Sequence, residues 1–455
     1  MNFSKFLCGL GLTVAVLPVS AQELTIPEMM KPMYGKIVQG VSQWGETEWS
    51  TAVAQEMMTK SGPAVDDSLR LSRIEEVTPG VWMIYAPIVN VVVIDTDEGL
   101  VLIDAGHAAA GPAILKLLRS VSDKPIHTVV YTHGHTDHAF GAWALLEAGE
   151  QPQIIATKQA SERMQRYVTM RGHFGKYLPQ AVEIMPKTLD DIDLPTVTFE
   201  KEYRFTVGGE DIILRQHRGE TDGHLYAWLP KRKLIAVGDF WQGFLSNAGN
   251  GRRQQRHIED WTRALQEMHD LDVEWMLPAH GKPAIGSVSI RSELMAVINA
   301  YQYVIDYTLD ALNKGIQPYL IVEQFTWPEK FANDDRLQPR YNTAQDMVKV
   351  LVREYTGWWN GLPADWSPAT MQSQAKAIVS LAGGIDAMLD KARAFIASDP
   401  AMGLHMAQWA WLAEPDNADV KAVYAQALYR KGMTENVTGM EASVYIQTLR
   451  QLMAQ

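Results

Sequence analysis

Apolar residues follow two different periods along the chain, and the change between them falls near residue 285. Before that point, short stretches rich in Val, Ile and aromatic residues predict β-strands separated by turns and helices. The stretches of this kind lie at 81–85, 91–94, 100–103, 127–131, 211–217, 224–229 and 233–238. Residues 97–99 (Asp-Glu-Gly) predict a hairpin turn. Strands that alternate with helices indicate an α/β domain.

After residue 285 the apolar residues recur at helical spacing. Ile290, Leu294, Val297 and Tyr301 fall on one face of a helix, and Gly315 is a suitable residue for ending it. Further helices are predicted at 385–397, 401–412 and 418–430. We therefore predict four segments: a signal peptide at 1–21, an N-terminal arm at 22–75, an α/β domain at 76–285 and an all-α domain at 286–455.

Composition excludes several classes of protein. The chain has 455 residues, 47% of them hydrophobic, which is typical of globular domains. Its 41 basic and 53 acidic side chains leave a net charge of −12, which argues against a nucleic-acid partner. A single cysteine excludes a disulfide framework.

The first 21 residues have the pattern of a secretory signal peptide. Lys5 precedes an apolar run at 6–17, and small residues at 19–21 match a signal peptidase site. The run is shorter than the roughly 20 apolar residues that a membrane span needs. We therefore expect cleavage after Ala21, a periplasmic or secreted protein, and no membrane span.

The strand at 127–131 leads into the loop Thr132-His133-Gly134-His135-Thr136-Asp137-His138. Residues two apart in an extended loop point the same way, so His133 and His135 can bind one metal ion. Asp137 and His138 then face a second position beside it. Imidazole and carboxylate ligands suit zinc. The alternatives are a polar surface loop or a single adventitious metal site.

Three later positions can complete a two-metal site. Glu220 lies between two predicted strands, whereas Asp239 and His280 each follow the end of a buried strand. Any one of them would be weak evidence, because acidic residues and histidines are common at strand ends. Together and in this order they predict a binuclear centre.

With these motifs, residues 76–285 resemble the metallo-β-lactamase superfold. The resemblance implies an αββα sandwich with two metals at one edge of the sheets, followed here by the all-α domain. It also implies that Asp104 supports the metal ligands without binding a metal itself. A simple turn-forming role is the alternative for Asp104.

One residue narrows the resemblance to the alkyl sulfatase family. Many members of the superfold have His where this chain has Glu220, and alkyl sulfatases have Glu. Those enzymes typically have a second Glu where this chain has Asp239. His217 and His224 flank Glu220 and are rival ligands.

The resemblance continues into the helical half. Residues 352–361 are similar to a Tyr-x-Gly-Trp segment of the alkyl sulfatase dimerisation domain, and residues 414–418 to its last helical hairpin. This similarity implies a homodimer. Alkyl sulfatases usually carry a third, sterol-carrier-like domain, which we do not expect in this chain.

The resemblance implies two zinc ions and a role for each residue of the site. One zinc ion takes His133, His135 and Glu220, the other takes Asp137, His138 and His280, and Asp239 bridges them. Asp137 also orients the attacking hydroxide as a catalytic residue. Asn247, Arg252 and Arg256 resemble residues of the family that bind the anionic ester, although they could equally form a solvated basic turn.

Three functions remain open at the level of sequence. The first is a periplasmic di-zinc hydrolase of sulfate esters, whose partner is a small anionic substrate. The second is another hydrolase of the superfold that acts on a β-lactam, a lactone or a phosphoester. The third is a helical interaction module with a vestigial metal domain, against which the complete ligand set argues.

Overall fold

The computed structural model describes residues 24–41, 69–177 and 185–454. The predicted signal peptide at 1–21 and much of the predicted arm, at 42–68, lie outside the described residues. The described part of the arm begins with helix α1 (Ile26–Val41). The chain re-enters the described region at residue 69 and joins the first sheet at Arg73.

Within the described residues, two sheets form the α/β half. The first sheet has the order β1 to β7, in which β1 to β4 are antiparallel and β4 to β7 are parallel. Its strands are β1 Arg73–Thr78, β2 Val81–Ala86, β3 Val89–Thr96, β4 Gly99–Ile103, β5 Ile126–Val130, β6 Gln153–Thr157 and β7 Val197–Phe199. The predicted hairpin turn at 97–99 joins β3 to β4.

The second sheet has the order β13-β12-β11-β10-β9-β8, and only its β11–β12 pair is parallel. Its strands are β8 Glu202–Val207, β9 Glu210–His217, β10 His224–Leu229, β11 Leu234–Gly238, β12 Trp275–Pro278 and β13 Ala284–Ile285. The helices of this half are α2 Gly111–Val121, α3 Thr136–Ala139, α4 Trp143–Glu147, α5 Lys158–Thr169, α6 Arg171–Tyr177 and α7 Ile258–Asp270.

Apolar side chains fill the space between the two sheets and cover the outer face of each sheet. Ile103 and Leu214 belong to the inner core, where the sheets face each other. Met164 of α5 covers the outer face of the first sheet, and Trp261 of α7 covers that of the second. The order helix, sheet, sheet, helix confirms the predicted αββα sandwich.

The helical half begins with α8, which packs on the sandwich. The ring of Tyr301 on α8 lies 6.1 Å from the ring of Trp261 on α7. Both residues belong to a hydrophobic core shared by the two halves. The helices of this half are α8 Ser287–Asn313, α9 Pro318–Glu323, α10 Glu329–Ala332, α11 Ala344–Thr356, α12 Met371–Leu381, α13 Ile385–Ser398, α14 Pro400–Ala413, α15 Ala418–Gly432 and α16 Gly439–Met453. Gly315, with a φ of 73°, follows the end of α8, as predicted.

The last five helices have a core of their own, to which α1 contributes. Met29 and Met33 of α1 are buried in it, and the Lys36 ammonium donates to the Thr434 carbonyl over 2.6 Å. The start of the arm therefore lies against the helical half. No helix within the described residues is both long enough and apolar enough to span a bilayer.

Candidate metal centre

The histidine loop begins directly after β5 and ends in the single turn of α3. His133 Nε2 and His135 Nδ1 lie 2.9 Å apart, so the two rings point to one place, as the spacing predicted. The loop can pass close to α5 only because residue 134 is glycine. A Cβ there would lie 2.5 Å from the Ala160 carbonyl oxygen. The sequence therefore sets both the direction of the rings and their distance from the helix.

Glu220 completes a first group of ligands with His133 and His135. All three residues are buried, and one ligand atom of each lies within 4.8 Å of the others. Glu220 reaches this place from the turn between β9 and β10. The structure thus brings together the three residues predicted for the first zinc ion.

Asp137, His138 and His280 form a second group of the same kind. The Asp137 Oδ2 atom lies 3.5 Å from His138 Nε2 and 3.7 Å from His280 Nε2. His280 follows β12, so two loops from different sheets meet at this edge of the sandwich.

Asp239 lies between the two groups. Its Oδ1 atom is 3.6 Å from His138 Nε2 and 3.3 Å from His280 Nε2, whereas Oδ2 is 4.0 Å from His133 Nε2. One oxygen therefore faces each group, so the Asp239 carboxylate offers an oxygen to both.

Several buried polar atoms of the cluster have no hydrogen-bond partner among the described residues. They are His135 Nε2, His138 Nε2, Glu220 Oε2 and Asp239 Oδ1. Leaving such atoms unpaired costs free energy, which a cation at the centre would recover. Imidazole nitrogens and carboxylate oxygens are ligands that zinc accepts. The residues present therefore fit metal ions.

Asp104 fixes the orientation of His138. Its Oδ1 accepts the Thr132 backbone N–H over 2.7 Å, and its Oδ2 accepts the Thr132 hydroxyl and lies 2.8 Å from His138 Nδ1. With Nδ1 engaged in this way, Nε2 is the nitrogen that faces the cluster. In the same manner, His280 Nδ1 donates to the Ile88 carbonyl. Asp104 thus supports a ligand and is not placed as one.

We expect Asp104→Asn to lower zinc affinity by about 10- to 100-fold. The Asn amide group replaces one acceptor oxygen with a donor, and either Thr132 or His138 then loses its partner. Competition with a fluorescent chelator measures the effect. The exposed turn residue gives a matched control, Asp97→Asn, which should keep the parental affinity. Equal zinc affinity in all three proteins would contradict this role for Asp104.

Arg256 and Asn247 hold one oxygen of Glu220. Arg256 Nη2 and Asn247 Nδ2 donate to Glu220 Oε1 over 3.1 and 2.8 Å, and Arg256 Nη1 also donates to the Glu220 carbonyl. Burial and the Asp239 carboxylate raise the pKa of Glu220, and the Arg256 charge opposes that rise. Burial lowers the pKa of Arg256 to about 10, so it stays a cation at neutral pH. Both residues therefore present Glu220 to the cluster.

Arg252 lies against the helical half. Its Nη1 donates to Ser443 Oγ over 2.7 Å and its Nη2 to Gln447 Oε1 over 2.5 Å, both on α16. The loop after Asp239 is thereby tied to the last helix of the chain. Substrate binding by Asn247, Arg252 and Arg256 stays a prediction, and these contacts give each of them another role.

The two rival histidines have other partners. His217, the last residue of β9, has its Nε2 3.0 Å from Glu267 Oε2 on α7. The His224 ring packs flat on Phe240 at 3.8 Å, and its Nδ1 and Nε2 lie 3.1 and 3.2 Å from the backbone nitrogens of Glu220 and Asp239. Burial lowers the pKa of His224 to about 3, so the ring is neutral and accepts one of these hydrogen bonds at a time. The structure therefore favours Glu220 as the ligand.

Two further residues lie near the carboxylates of the cluster, and neither was predicted from the sequence. Burial, followed by the charges of Asp239, Glu220 and Asp137, raises the pKa of Tyr341, which comes from the loop before α11. Burial lowers the pKa of His107 to about 4, and its Nε2 has no partner among the described residues. Neither belongs to a motif, so only the packing of distant segments reveals them.

Two family models match the chain. Residues 84–280 match the metallo-β-lactamase superfamily, and residues 318–454 match alkyl sulfatase dimerisation. A linear primary-alkylsulfatase from a Pseudomonas strain is 25% identical over 364 residues, or 74% of this chain and 67% of that protein. An (R)-specific secondary-alkylsulfatase from Pseudomonas is 25% identical over 381 residues, or 76% of this chain and 58% of that protein.

A solved structure supports the same fold. The stereoselective inverting sec-alkylsulfatase from Pseudomonas superposes with a TM-score of 0.72 at 23% identity, covering 86% of this chain and 67% of that one. This chain thus spans 58–67% of the length of these relatives. The chain is thus similar to the alkylsulfatases, with a metallo-β-lactamase-type domain at 84–280 and a match to alkyl sulfatase dimerisation at 318–454.

Proposed function

We propose that the protein is a di-zinc hydrolase of sulfate esters that works in the periplasm. The observation that carries the proposal is the pair of three-residue ligand groups joined by Asp239, with Glu220 in one of them. The homology to alkylsulfatases supports the substrate class. Export rests on the sequence of residues 1–21, which lie outside the described part of the chain.

Asp137 is the carboxylate best placed to handle the attacking water. Its side chain is 23% exposed, against 6% for Glu220 and 4% for Asp239, so it faces the opening of the site. Burial raises the pKa of Asp137, but in the metal-free protein the charges of His138 and His280 outweigh that effect and bring the pKa to about 2. At neutral pH it is therefore a carboxylate that accepts a hydrogen bond from water.

The residues of the two groups would hold zinc ions, whose chemistry is to lower the pKa of bound water toward about 7 and to polarise an ester. The protein contributes orientation to this chemistry. Asp137 directs the water through its hydrogen bond, and Asp104 and the Ile88 carbonyl fix the rings of His138 and His280. Glu220, held by Arg256, keeps one carboxylate oxygen directed at the first group.

The reaction class is tested with zinc-loaded protein and a panel of substrates. We expect hydrolysis of an alkyl sulfate such as octyl sulfate, and much slower hydrolysis of a β-lactam, a lactone and a phosphoester. Released sulfate and alcohol are quantified, and chelator-treated protein is the control. A lactam, lactone or phosphoester that proves a far better substrate than every sulfate ester would refute the proposal.

The proposal includes a homodimer formed by the helical half. Trp358 and Trp366 in this half are 69% and 62% exposed, and their rings lie 5.4 Å apart. Large exposed apolar patches commonly mark protein–protein interfaces. Together with the match to the dimerisation model, they support association through this surface.

Light scattering should give twice the mass of one chain at micromolar concentration, because obligate interfaces commonly bury more than about 2,000 Å². The double variant Trp358→Ser/Trp366→Ser should shift the protein toward monomer. Leu189, 47% exposed on the α/β half, gives the control Leu189→Ser, which should remain dimeric. A monomeric parental protein would disprove the dimer.

A further inference from the structure

Arg163 lies beside the metal centre and was not among the predicted site residues. It is on α5, and its Cβ would be 2.9 Å from a Cβ placed on Gly134, between the ligands His133 and His135. The residue is only 5% exposed. Its Nη1 donates to Gln254 Oε1 over 2.7 Å and its guanidinium lies over the Tyr167 ring at 5.9 Å, but its Nε and Nη2 make no hydrogen bond among the described residues. Two donors of a buried cation are therefore left unpaired.

Arg253 also has a buried donor without a partner among the described residues. The Nη1 atom of Arg253 is buried and has no acceptor in the described part of the chain. Its neighbour in sequence, Gln254, accepts from Arg163, and Arg256 in the same loop donates to Glu220. The loop therefore brings Arg253 to the same side of the centre as Arg163, which packs against Gly134.

Within the described residues, acidic groups neutralise the positive charge of these three arginines only in part. Glu220 pairs with Arg256 over 3.1 Å. The nearby Asp222 carboxylate accepts from Gln254 Nε2 over 2.6 Å and lies 3.3 Å from His257 Nε2. Among residues 24–41, 69–177 and 185–454, no carboxylate bonds directly to Arg163 or Arg253. Buried cations with free donors are costly unless an anion pairs with them.

We propose that Arg163 and Arg253 bind the oxyanion head of the substrate on the His135 side of the metal centre. The proposal rests on the proposed function, in that a sulfate ester supplies such a head. A guanidinium offers parallel N–H donors that match two oxygens of one anion, and Nε and Nη2 of Arg163 have no hydrogen-bond partner in the part of the chain that the structure describes. Gln254, which accepts from Arg163 and also from Arg166, holds the helix and the loop together around the anion.

This assignment differs from the one that the sequence suggested. Arg252 donates to α16 and Arg256 donates to Glu220, so their donors are already engaged. Arg163 and Arg253 have buried donors without a partner in the described part of the chain, and they come instead from α5 and from the middle of the loop. Recognition of the anion therefore requires a helix of the first sheet and a loop of the second to meet.

Binding of 1-octanesulfonate tests the proposal directly, because its sulfonate head has the charge of a sulfate ester but its carbon–sulfur bond is not hydrolysed. Calorimetry on zinc-loaded protein should show at least about tenfold weaker binding in Arg163→Gln and in Arg253→Gln. Arg163→Lys keeps a positive charge and a long aliphatic side chain but lacks the planar guanidinium with its parallel donors. This variant should also bind sulfonate more weakly than the parental protein. Arg263, 61% exposed and paired with Asp260, gives the control Arg263→Gln, which should bind normally.

Zinc content and circular dichroism, measured on every variant, separate loss of the anion site from loss of the metals or of the fold. Unchanged sulfonate binding in both Gln variants, with zinc and fold intact, would overturn the proposal. If sulfonate binding falls as expected but no sulfate ester is hydrolysed, the anion site stands and the proposed reaction fails. If sulfate esters are hydrolysed while both variants bind sulfonate normally, the proposed reaction stands and the anion site fails.

Discussion

Asp239→Asn is expected to remove most of the bound zinc and to lower turnover of a sulfate ester by at least about a thousandfold. Its two oxygens face the two ligand groups, at 3.3 Å from His280 Nε2 and 4.0 Å from His133 Nε2. An amide has one oxygen and no charge, so it cannot bridge two cations in this way. Without the metals, water keeps a pKa near 15.7, and little hydroxide forms at neutral pH.

Metal analysis and turnover are measured together on the purified variant. Asp272, 67% exposed and paired with Lys233, provides the control Asp272→Asn, which should keep parental zinc content and rate. If Asp239→Asn retains close to two zinc ions and parental turnover, the binuclear assignment is wrong.

Arg256→Met is expected to destabilise the fold by about 3–5 kcal/mol and to lower zinc content. The Arg256 and Glu220 side chains are 1% and 6% exposed, and their ion pair spans 3.1 Å. Met fills a similar volume but leaves the Glu220 carboxylate buried without its cation. Burial and the Asp239 charge already raise the pKa of Glu220, so loss of Arg256 favours the protonated acid, a poorer metal ligand.

The double variant Arg256→Met/Glu220→Gln separates stability from metal binding. Because it removes both charges, it should regain part of the lost free energy of unfolding in denaturant titrations of the metal-free proteins. Its zinc content should stay low, since the ligand is gone. Strictly additive losses of stability would show that the two side chains do not interact as the structure indicates.

The basic loop that follows Asp239 makes contacts other than those predicted from the sequence. From the sequence, Asn247, Arg252 and Arg256 were one set of substrate-binding candidates. In the structure they separate into two residues that hold Glu220 and one that holds α16. The loop therefore couples the metal centre to the helical half.

The spacing of the candidate metal ligands within the histidine loop is local information, so their grouping could be predicted from the sequence. The spacing of His133, His135, Asp137 and His138 sets directions within one loop, whatever surrounds it. Asp239 and His280 follow β11 and β12, a parallel pair whose ends meet at one edge. Strand patterns that are visible in the sequence therefore place those ligands near each other.

The helices could also be predicted from short-range pattern. Helices were expected at 385–397, 401–412 and 418–430, and the structure has them at Ile385–Ser398, Pro400–Ala413 and Ala418–Gly432. Helical periodicity and capping residues act within a few residues of each other, so each helix is specified by its own segment.

Only the tertiary structure decided the partner of each charged side chain. Arg163 belongs to a helix with several polar residues, and in a sequence such an arginine indicates a solvated face. The structure buries it against Gly134. Tyr341 likewise reaches the carboxylates from a loop about 100 residues away from Asp239. The sequence determined the strands, the helices and the order of the candidate metal ligands, because these depend on local spacing, whereas the αββα sandwich was implied by the resemblance to the metallo-β-lactamase superfold. The partners of the arginines depend on contacts between distant segments, which no local pattern records.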